Sequence, residues 1–500
     1  MNILFFILFL IFSISISISE EGDRLVFLYT HFRHGARAPM AINEDYKDLM
    51  GESWDNPGEL TGIGQRMHYL LGLRNRIKYI ENEKFVKEKF DPHEILIYSS
   101  NLNRTMVSCS SQLQGLYPQK SEKGNTLTPD QERVAFPQVD VNCSEINQEI
   151  ENLNYSALPY YMTIAPVRMV NDNDKKMNVY DIQECTEERD QVKKKNRETI
   201  PYLINFTQNF NDVYGETLNN FFNTPNKTYN LLDIDDFCDA FLSSYTDQRE
   251  LTEFKKTKLG LEETNDYCYE YFRVTYLYHF HGDNEKILAH VDSSKLMSEL
   301  LFHMKRRLDA DITVEDEDEN IKDYSRPKWL MISGHDSTTS ADEIFMLNAL
   351  GLNVSELYIF PKYAAQLALE VRAKNDSKKS SYNDYYVTGF FNDKELFNVT
   401  ADEFISKIET DIWSQEKIDK FCGFEGNSNG NNTTPEDKKD KAKTAYKVLM
   451  SIFICLSAIL LATTIYLAYK LSKLNKPNPP ANMNYEVNKT AVSVDSIQKN

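Results

Sequence analysis

The stretch Arg33-His34-Gly35-Ala36-Arg37-Ala38-Pro39 follows directly on the apolar, strand-like run Leu25-Val26-Phe27-Leu28-Tyr29 and decides how this chain is read. It sets a histidine between two arginines on a turn softened by glycine. A side chain that is both nucleophile and proton carrier thus sits beside two fixed cations. Phosphoryl transfer uses that combination, because the protein's main task there is to hold and neutralise a multiply charged group.

Two further motifs supply what such a site lacks. Ser99-Ser100-Asn101-Leu102-Asn103-Arg104-Thr105 follows the strand signal 95–99, and Ser333-Gly334-His335-Asp336 follows the strand signal 329–333. All three motifs lie at strand C-terminal ends, where open α/β sheets place their ligands. Helices are expected to begin near Asn101 and Ser337, adding their N-terminal amides to an anion site. The roles follow from chemistry. Arg33, Arg37 and Arg104 grip phosphate oxygens, since a planar guanidinium holds two at once. His34 attacks phosphorus and forms a phosphohistidine. Asp336 protonates the leaving alkoxide, His335 hydrogen-bonds the phosphoryl oxygens, and water releases phosphate. This chemistry calls for no metal and no cofactor. Asp336 must carry a proton to act, so activity should peak in acid, on a scale set by a phosphate second pKa of about 6. Each part alone also has a plainer account: Arg33 or Arg37 as a surface ion-pair residue, His335-Asp336 as a helix cap.

Together the motifs resemble the histidine acid phosphatase family, a branch of the histidine phosphatases. The resemblance makes His34 the nucleophile and Arg33 and Arg37 its phosphate arginines. Arg104-Thr105-Met106-Val107-Ser108 is similar to the family's RTxxS segment, and His335-Asp336 to its His-Asp pair. Leu60-Thr61-Gly62-Ile63-Gly64-Gln65-Arg66 resembles a helix start of the family, and Pro361-Lys362-Tyr363-Ala364 a late segment. Ala38 stands where Thr is common, and Cys109 where a small residue is common. The likeness runs over about residues 24–425. It implies a three-layer α/β core with a central mixed sheet between helices (phosphoglycerate mutase-like), plus a mostly helical insertion that shapes the leaving-group pocket. It also implies a Cys143–Cys422 disulfide.

The pattern of the remaining chain agrees with an α/β core. Strand signals at 25–32, 95–99, 329–333, 366–371 and 385–391 alternate with helical spacing. Residues 61–80 place Ile63, Met67, Leu70, Leu71, Arg74 and Ile77 at helical intervals, and 294–308 do so with Leu296, Leu300, Leu301 and Met304. Between about 120 and 310 strand signals are sparse, which marks the helical insertion. Within it Lys193-Lys194-Lys195 reads as a solvated helix face. The acidic run 315–319 reads as an exposed loop without EF-hand spacing. His279, His281 and His290 are assigned to structure.

The 500 residues are 41% hydrophobic and 12% aromatic, as in a globular protein, and carry a net charge of −19. That charge argues against nucleic acid as a partner. It also requires a local arginine cluster to draw in an anionic substrate. Residues 1–19 read as a signal peptide with no Lys or Arg, an uncleaved anchor being the alternative. Residues 448–469 are apolar and uncharged, the length of a transmembrane helix. Residues 20–425 are then the ectodomain, 426–447 a stalk and 470–500 a cytoplasmic tail, with the catalytic part outside the cytosol in a lysosome or endosome or at the cell surface. Flanking lysines do not settle that orientation. The sequons at Asn142, Asn154, Asn205, Asn226, Asn353, Asn375, Asn398, Asn431 and Asn432 agree with export. Asn103 lies too near the site to carry a glycan.

Of seven cysteines, Cys455 falls in the span. Cys109, Cys143, Cys185, Cys238, Cys268 and Cys422 allow up to three disulfides. A buried free Cys109 would leave another unpaired. The expected function is an acid phosphatase acting on small phosphate monoesters, able to occur as a homodimer. A phytase-like or lysophosphatidate-selective phosphatase, or a non-catalytic surface protein on the same scaffold, are the alternatives. A phytase-like pocket would need additional Lys and Arg.

Overall fold

The computed structural model describes residues 23–423, apart from 41–43, 51–53, 55, 119–125, 136, 138–143, 154, 160–161, 171–184, 283–285, 314–325 and 375–378. The expected signal peptide, stalk, span and tail lie outside the described residues, as does the acidic run 315–319. Among the described residues no helix is long and apolar enough to cross a membrane.

Seven strands form one mixed sheet: β1 (Arg24–Arg33), β2 (Ile95–Ser100), β3 (Arg168–Val170), β4 (Trp329–Gly334), β5 (Gln366–Ala373), β6 (Tyr385–Phe391) and β7 (Lys394–Thr400). Their spatial order is β3-β2-β4-β1-β5-β6-β7. The first four run parallel, and β5, β6 and β7 each pair antiparallel with their neighbour. The parallel half explains why β1 and β4 read as almost unbroken apolar runs. Helices cover both faces of such a sheet, so neither face can be polar. Successive side chains alternate between two cores. Leu330 and Ile332 join one with Tyr29 and Leu96; Trp329 and Met331 join the other with Leu28, Phe32, Ile95 and Ile97. Each such fully buried side chain contributes about 1.5–3 kcal/mol. The indole N–H of Trp329 donates to Thr30 Oγ1 at 2.9 Å, so its burial strands no donor.

The first core is closed by the helices Ile287–Thr313, Asp336–Ala349 and Ala401–Asp411. On the other face lie Gly62–Asn75 and Asn103–Leu116, which touch backbone to backbone. A Cβ on Gly72 would stand 1.9 Å from the Gln112 carbonyl oxygen, and one on Gly115 2.0 Å from that of Tyr69. The Gly62–Asn75 helix therefore buries Gly64, His68, Gly72 and Asn75, while Leu70 of its apolar stripe is 55% exposed. The small residues choose the inward face, because only they permit that approach.

Between residues 186 and 281 the described chain is helical, and its helices share a separate apolar cluster around Phe210, Tyr229, Phe237, Phe241 and Phe254. Lys194 and Lys195 are exposed there, on the helix Thr186–Thr199. The interval from 120 to 310 also contains β3, three residues whose pairing with β2 gives them their conformation. Cys238–Cys268 joins the helices Leu231–Thr246 and Leu261–His281, and Cys185–Cys422 ties the start of the helix Thr186–Thr199 to the end of the helix Gln415–Phe421. The second bond corrects the expected Cys143–Cys422 pair. Cys185 packs with Val291, Ile418 and Cys422 in one small apolar cluster, and a sulfur takes one partner. Cys143 lies outside the described residues, and Cys109 is buried as a free thiol.

Candidate active site

The strand order sets β4 between β1 and β2, all three parallel, so their C-terminal ends lie side by side. Arg33 pairs in register with Gly334, and Ser99 with Ser333. Motifs some 65 and 300 residues from the first thereby meet at one sheet edge. The helices start at Asn103 and Asp336, within two residues of the expected points.

The first loop is clamped from two directions. Ser108 Oγ accepts the Gly35 N–H at 3.1 Å. A Cβ on Gly35 would lie 2.4 Å from the Gly64 carbonyl oxygen, so the loop rests directly on the Gly62–Asn75 helix. The spacing of the RTxxS segment is explained by this packing. Arg104, Thr105 and Ser108 fall on the buried face of the Asn103–Leu116 helix. The Thr105 carbonyl accepts from Ser333 Oγ at 2.9 Å, tying that helix to β4.

His34 Nδ1 lies 2.9 Å from the Gly35 carbonyl oxygen. A carbonyl only accepts, so Nδ1 carries the proton and Nε2 keeps its lone pair. Burial, then Arg33, Arg37, His335 and Arg104, hold the imidazole well below the ordinary histidine pKa. The ring is thus a neutral base in the middle of the cationic cluster.

Each flanking arginine is braced. Arg33 donates from Nη1 to the Pro361 carbonyl at 2.9 Å and pairs through Nη2 with Asp336 Oδ2 at 2.7 Å. Its guanidinium carbon sits 4.4 Å from the centre of the Tyr363 ring, a cation–π distance. Arg37 donates from Nη1 to the Ala38 carbonyl and forks onto Asp239, with Nη2 at 2.7 Å from Oδ1 and Nη1 at 3.3 Å from Oδ2. The buried Nε of Arg33 and that of Arg37 have no protein partner among the described residues.

Proton directions around His335 also follow. Thr105 Oγ1 donates to a main-chain carbonyl, Leu102 at 2.8 Å or Ser100 at 3.0 Å. It must then accept from Ser100 Oγ at 2.8 Å, which leaves Ser100 to accept from His335 Nε2 at 2.8 Å. Nε2 is therefore the protonated nitrogen, and the other ring nitrogen accepts from the Thr338 N–H at the start of the Asp336–Ala349 helix. Asp336 takes two further bonds on Oδ1, from Ser337 N at 2.9 Å and Tyr276 Oη at 3.2 Å. Burial would raise its carboxyl, but Arg33, Arg37 and His335 outweigh that and hold it below the usual carboxylate range. Asp336 is thus a carboxylate paired with Arg33, and the proton it must carry to act has to be acquired.

All six expected residues converge here: Arg33, His34, Arg37, Arg104, His335 and Asp336. Of the three histidines assigned to structure, His290 stacks on Trp413 and His281 bonds Asn348, while His279 meets the ring of Tyr276, the tyrosine that bonds Asp336. Asp239, Tyr276, Ser100 and the role of Tyr363 were not foreseen. Tyr363 lay in a segment already singled out. Asp239 and Tyr276 sit on helices of the divergent stretch, with no local signal.

Comparison with known proteins agrees with this arrangement. A family model described as the histidine phosphatase superfamily (branch 2) matches residues 24–392. The prostatic acid phosphatase of Bos taurus is 25% identical over 323 residues, 64% of this chain and 68% of that protein. A putative acid phosphatase of Caenorhabditis elegans is 28% identical over 213 residues, 36% of this chain and 48% of its own length. The lysosomal acid phosphatase of Xenopus laevis is 34% identical over 100 residues, 20% and 22% of the two chains. The chain thus spans less than half the length of these last two relatives. In three dimensions it resembles a Hafnia alvei phytase solved with tartrate, at a TM-score of 0.50 and 13% identity over 79% of this chain and 98% of that one, a likeness of fold. With the family model matching residues 24–392, the chain belongs to the histidine phosphatase superfamily, branch 2.

Proposed function

We propose that this chain hydrolyses phosphate monoesters as an acid phosphatase, through a phosphohistidine on His34. The observation that carries the reading is the bond from His34 Nδ1–H to the Gly35 carbonyl, which leaves Nε2 as a lone pair among arginines. Nε2 attacks phosphorus, the ester P–O bond breaks, and the leaving oxygen takes a proton from Asp336. Because the resting Asp336 is ionised, that proton enters with a monoanionic ester. Arg33, Arg37 and Arg104 hold the phosphoryl oxygens, with the His335 ring beside that of His34. Water then attacks phosphorus, gives its proton to Asp336, and breaks the P–N bond. The relatives named as acid phosphatases support the same reaction. The two disulfides support an oxidising compartment. We place the protein on a membrane through 448–469, with the helical segment as a cap over the leaving group.

The test is p-nitrophenyl phosphate turnover by wild type and His34→Ala, with acid-quench trapping of radiolabelled phosphate on the protein. The variant should lose at least about a thousandfold in kcat and all trapped label. Undiminished turnover in His34→Ala would refute the assignment.

A further inference from the structure

We propose that Asp239 is the positioning and selectivity residue of this site: it fixes which edge of Arg37 meets the phosphate, and its charge restricts good substrates to esters bearing a single phosphate. The inference rests on the phosphatase reading and adds a residue and a substrate class to it.

The hydrogen-bond count of Arg37 carries the first half. A guanidinium has five N–H bonds. Nη1 uses its two on the Ala38 carbonyl and Asp239 Oδ2, and Nη2 uses one on Asp239 Oδ1. What remains is the Nε–H and the second Nη2–H. These two lie on one edge of the plane, the two-pronged edge that matches a phosphate. Asp239 is itself held. Its Oδ2 accepts the Met40 N–H at 2.7 Å, so one carboxylate grips both ends of the segment 37–40. It projects from the helix Leu231–Thr246, anchored by buried Phe237 and Phe241 and by the neighbouring Cys238–Cys268 bond. One turn on, Ser243 Oγ lies 3.3 Å from Tyr363 Oη, beneath Arg33. A single helix face therefore braces both arginines of the first motif.

Charge carries the second half. Arg33, Arg37 and Arg104 bring three positive charges, and Asp336 and Asp239 remove two. The difference is +1 before any charge on the imidazoles, enough for one phosphate monoanion. A second phosphate would find no matching positive charge in this set, and the helix of Asp239 adds only acids in its field: Asp236, and Asp235, which is charged only near and above neutral pH. Facing Asp239 are Arg37 from the first loop and these two carboxylates from its own helix. Tyr363 and Asp336 act on the same Arg37. Burial and Asp239 push Asp235 up to about 7 against Arg197, so it also titrates near neutral pH.

The experiment compares the full-length protein with Asp239→Asn, which keeps the shape and removes the charge. For each, kcat/KM is measured for p-nitrophenyl phosphate and for myo-inositol hexakisphosphate from pH 4.5 to 8, with Tm as a check on folding. In the variant, the ratio of hexakisphosphate to p-nitrophenyl phosphate should rise on the order of tenfold, one charge being removed a few ångströms from the ligand. The decline of kcat/KM above the ester's second pKa should also become shallower. A merely structural role would lower both substrates together and leave the ratio and the pH limb in place. That result overturns the inference while the phosphatase reading stands. Should the variant not fold, inhibition of wild type by inorganic phosphate decides. Its Ki should rise steadily as phosphate passes from monoanion to dianion, and a flat Ki overturns the inference. A wild type that hydrolyses neither ester refutes the phosphatase reading itself, and this inference with it.

Discussion

Replacing Gly64 by alanine sets two physical effects against each other with opposite signs. Gly64 sits inside the Gly62–Asn75 helix, where alanine is the better helix former by about 1 kcal/mol. On propensity alone the variant is more stable. In the folded protein, however, a Cβ there would stand 2.2 Å from the Ala36 carbonyl oxygen and 2.8 Å from the Ala36 nitrogen. Both are main-chain atoms, so no rotamer change relieves the contact and the loop must move. Overpacking of this kind costs about 1–3 kcal/mol, enough to cancel or exceed the propensity gain. Ala36 lies between His34 and Arg37, so the displacement falls on the proposed nucleophile and a proposed phosphate arginine. A shift of about 1 Å in such a group costs about a hundredfold in rate. Tm and p-nitrophenyl phosphate turnover are measured together. Gly62→Ala is the control, since nothing lies within 4 Å of a Cβ at that position of the same helix. It should keep wild-type turnover. A Gly64→Ala protein that is stabilised and retains wild-type kcat would refute the packing account of the loop.

Three other outcomes follow from the site and its supports. Asp336→Asn should slow alkyl phosphates by about a hundredfold or more and p-nitrophenyl phosphate far less, because only the poorer leaving group needs the proton; a leaving-group series reads this. His34 is held well below its ordinary pKa by burial and then by Arg33, Arg37, His335 and Arg104. Its folded pKa thus lies under the unfolded one, and its contribution to stability, full above about 6.5, declines as pH falls toward the folded value. The same shift keeps the His34 ring neutral in mild acid, so kcat/KM should show no loss as pH falls through 6.5; ring titration by NMR in wild type against His34→Ala checks it. Replacing Cys238 and Cys268 by serine opens a crosslink of sequence separation 30. It should cost about 3–4 kcal/mol in denaturant unfolding, and it frees the helix that carries Asp239.

Much of the sheet was legible because strands buried on both faces leave a local mark. The runs at 25–32, 95–99, 329–333, 366–371 and 385–391 became β1, β2, β4, β5 and β6 with shifts of a residue or two. β7 was missed although its turn has a signal. Asn392 and Asp393 both take positive φ, the backbone of a tight hairpin that Asn and Asp tolerate. β3 has no signal of its own, since three residues become a strand only when a neighbour pairs with them. The Gly62–Asn75 helix was visible as a helix, but its inward face is set by the glycines at its contacts rather than by Leu70 or Ile77.

By itself the sequence determined which residues are candidates for the chemistry. A histidine, an aspartate and three arginines in motifs after strands mark a candidate phosphoryl site, because residue type and local spacing are written along the chain. Tertiary structure alone decided how those groups are poised. The strand order β2-β4-β1 brings the motifs together. Folding also pairs Cys185 with Cys422, sets Asp336 against Arg33 as a carboxylate, and lays Asp239 along one edge of Arg37. Each of these depends on groups brought close in space from remote parts of the chain. Burial and Coulomb interaction act through that distance, and no local pattern records it.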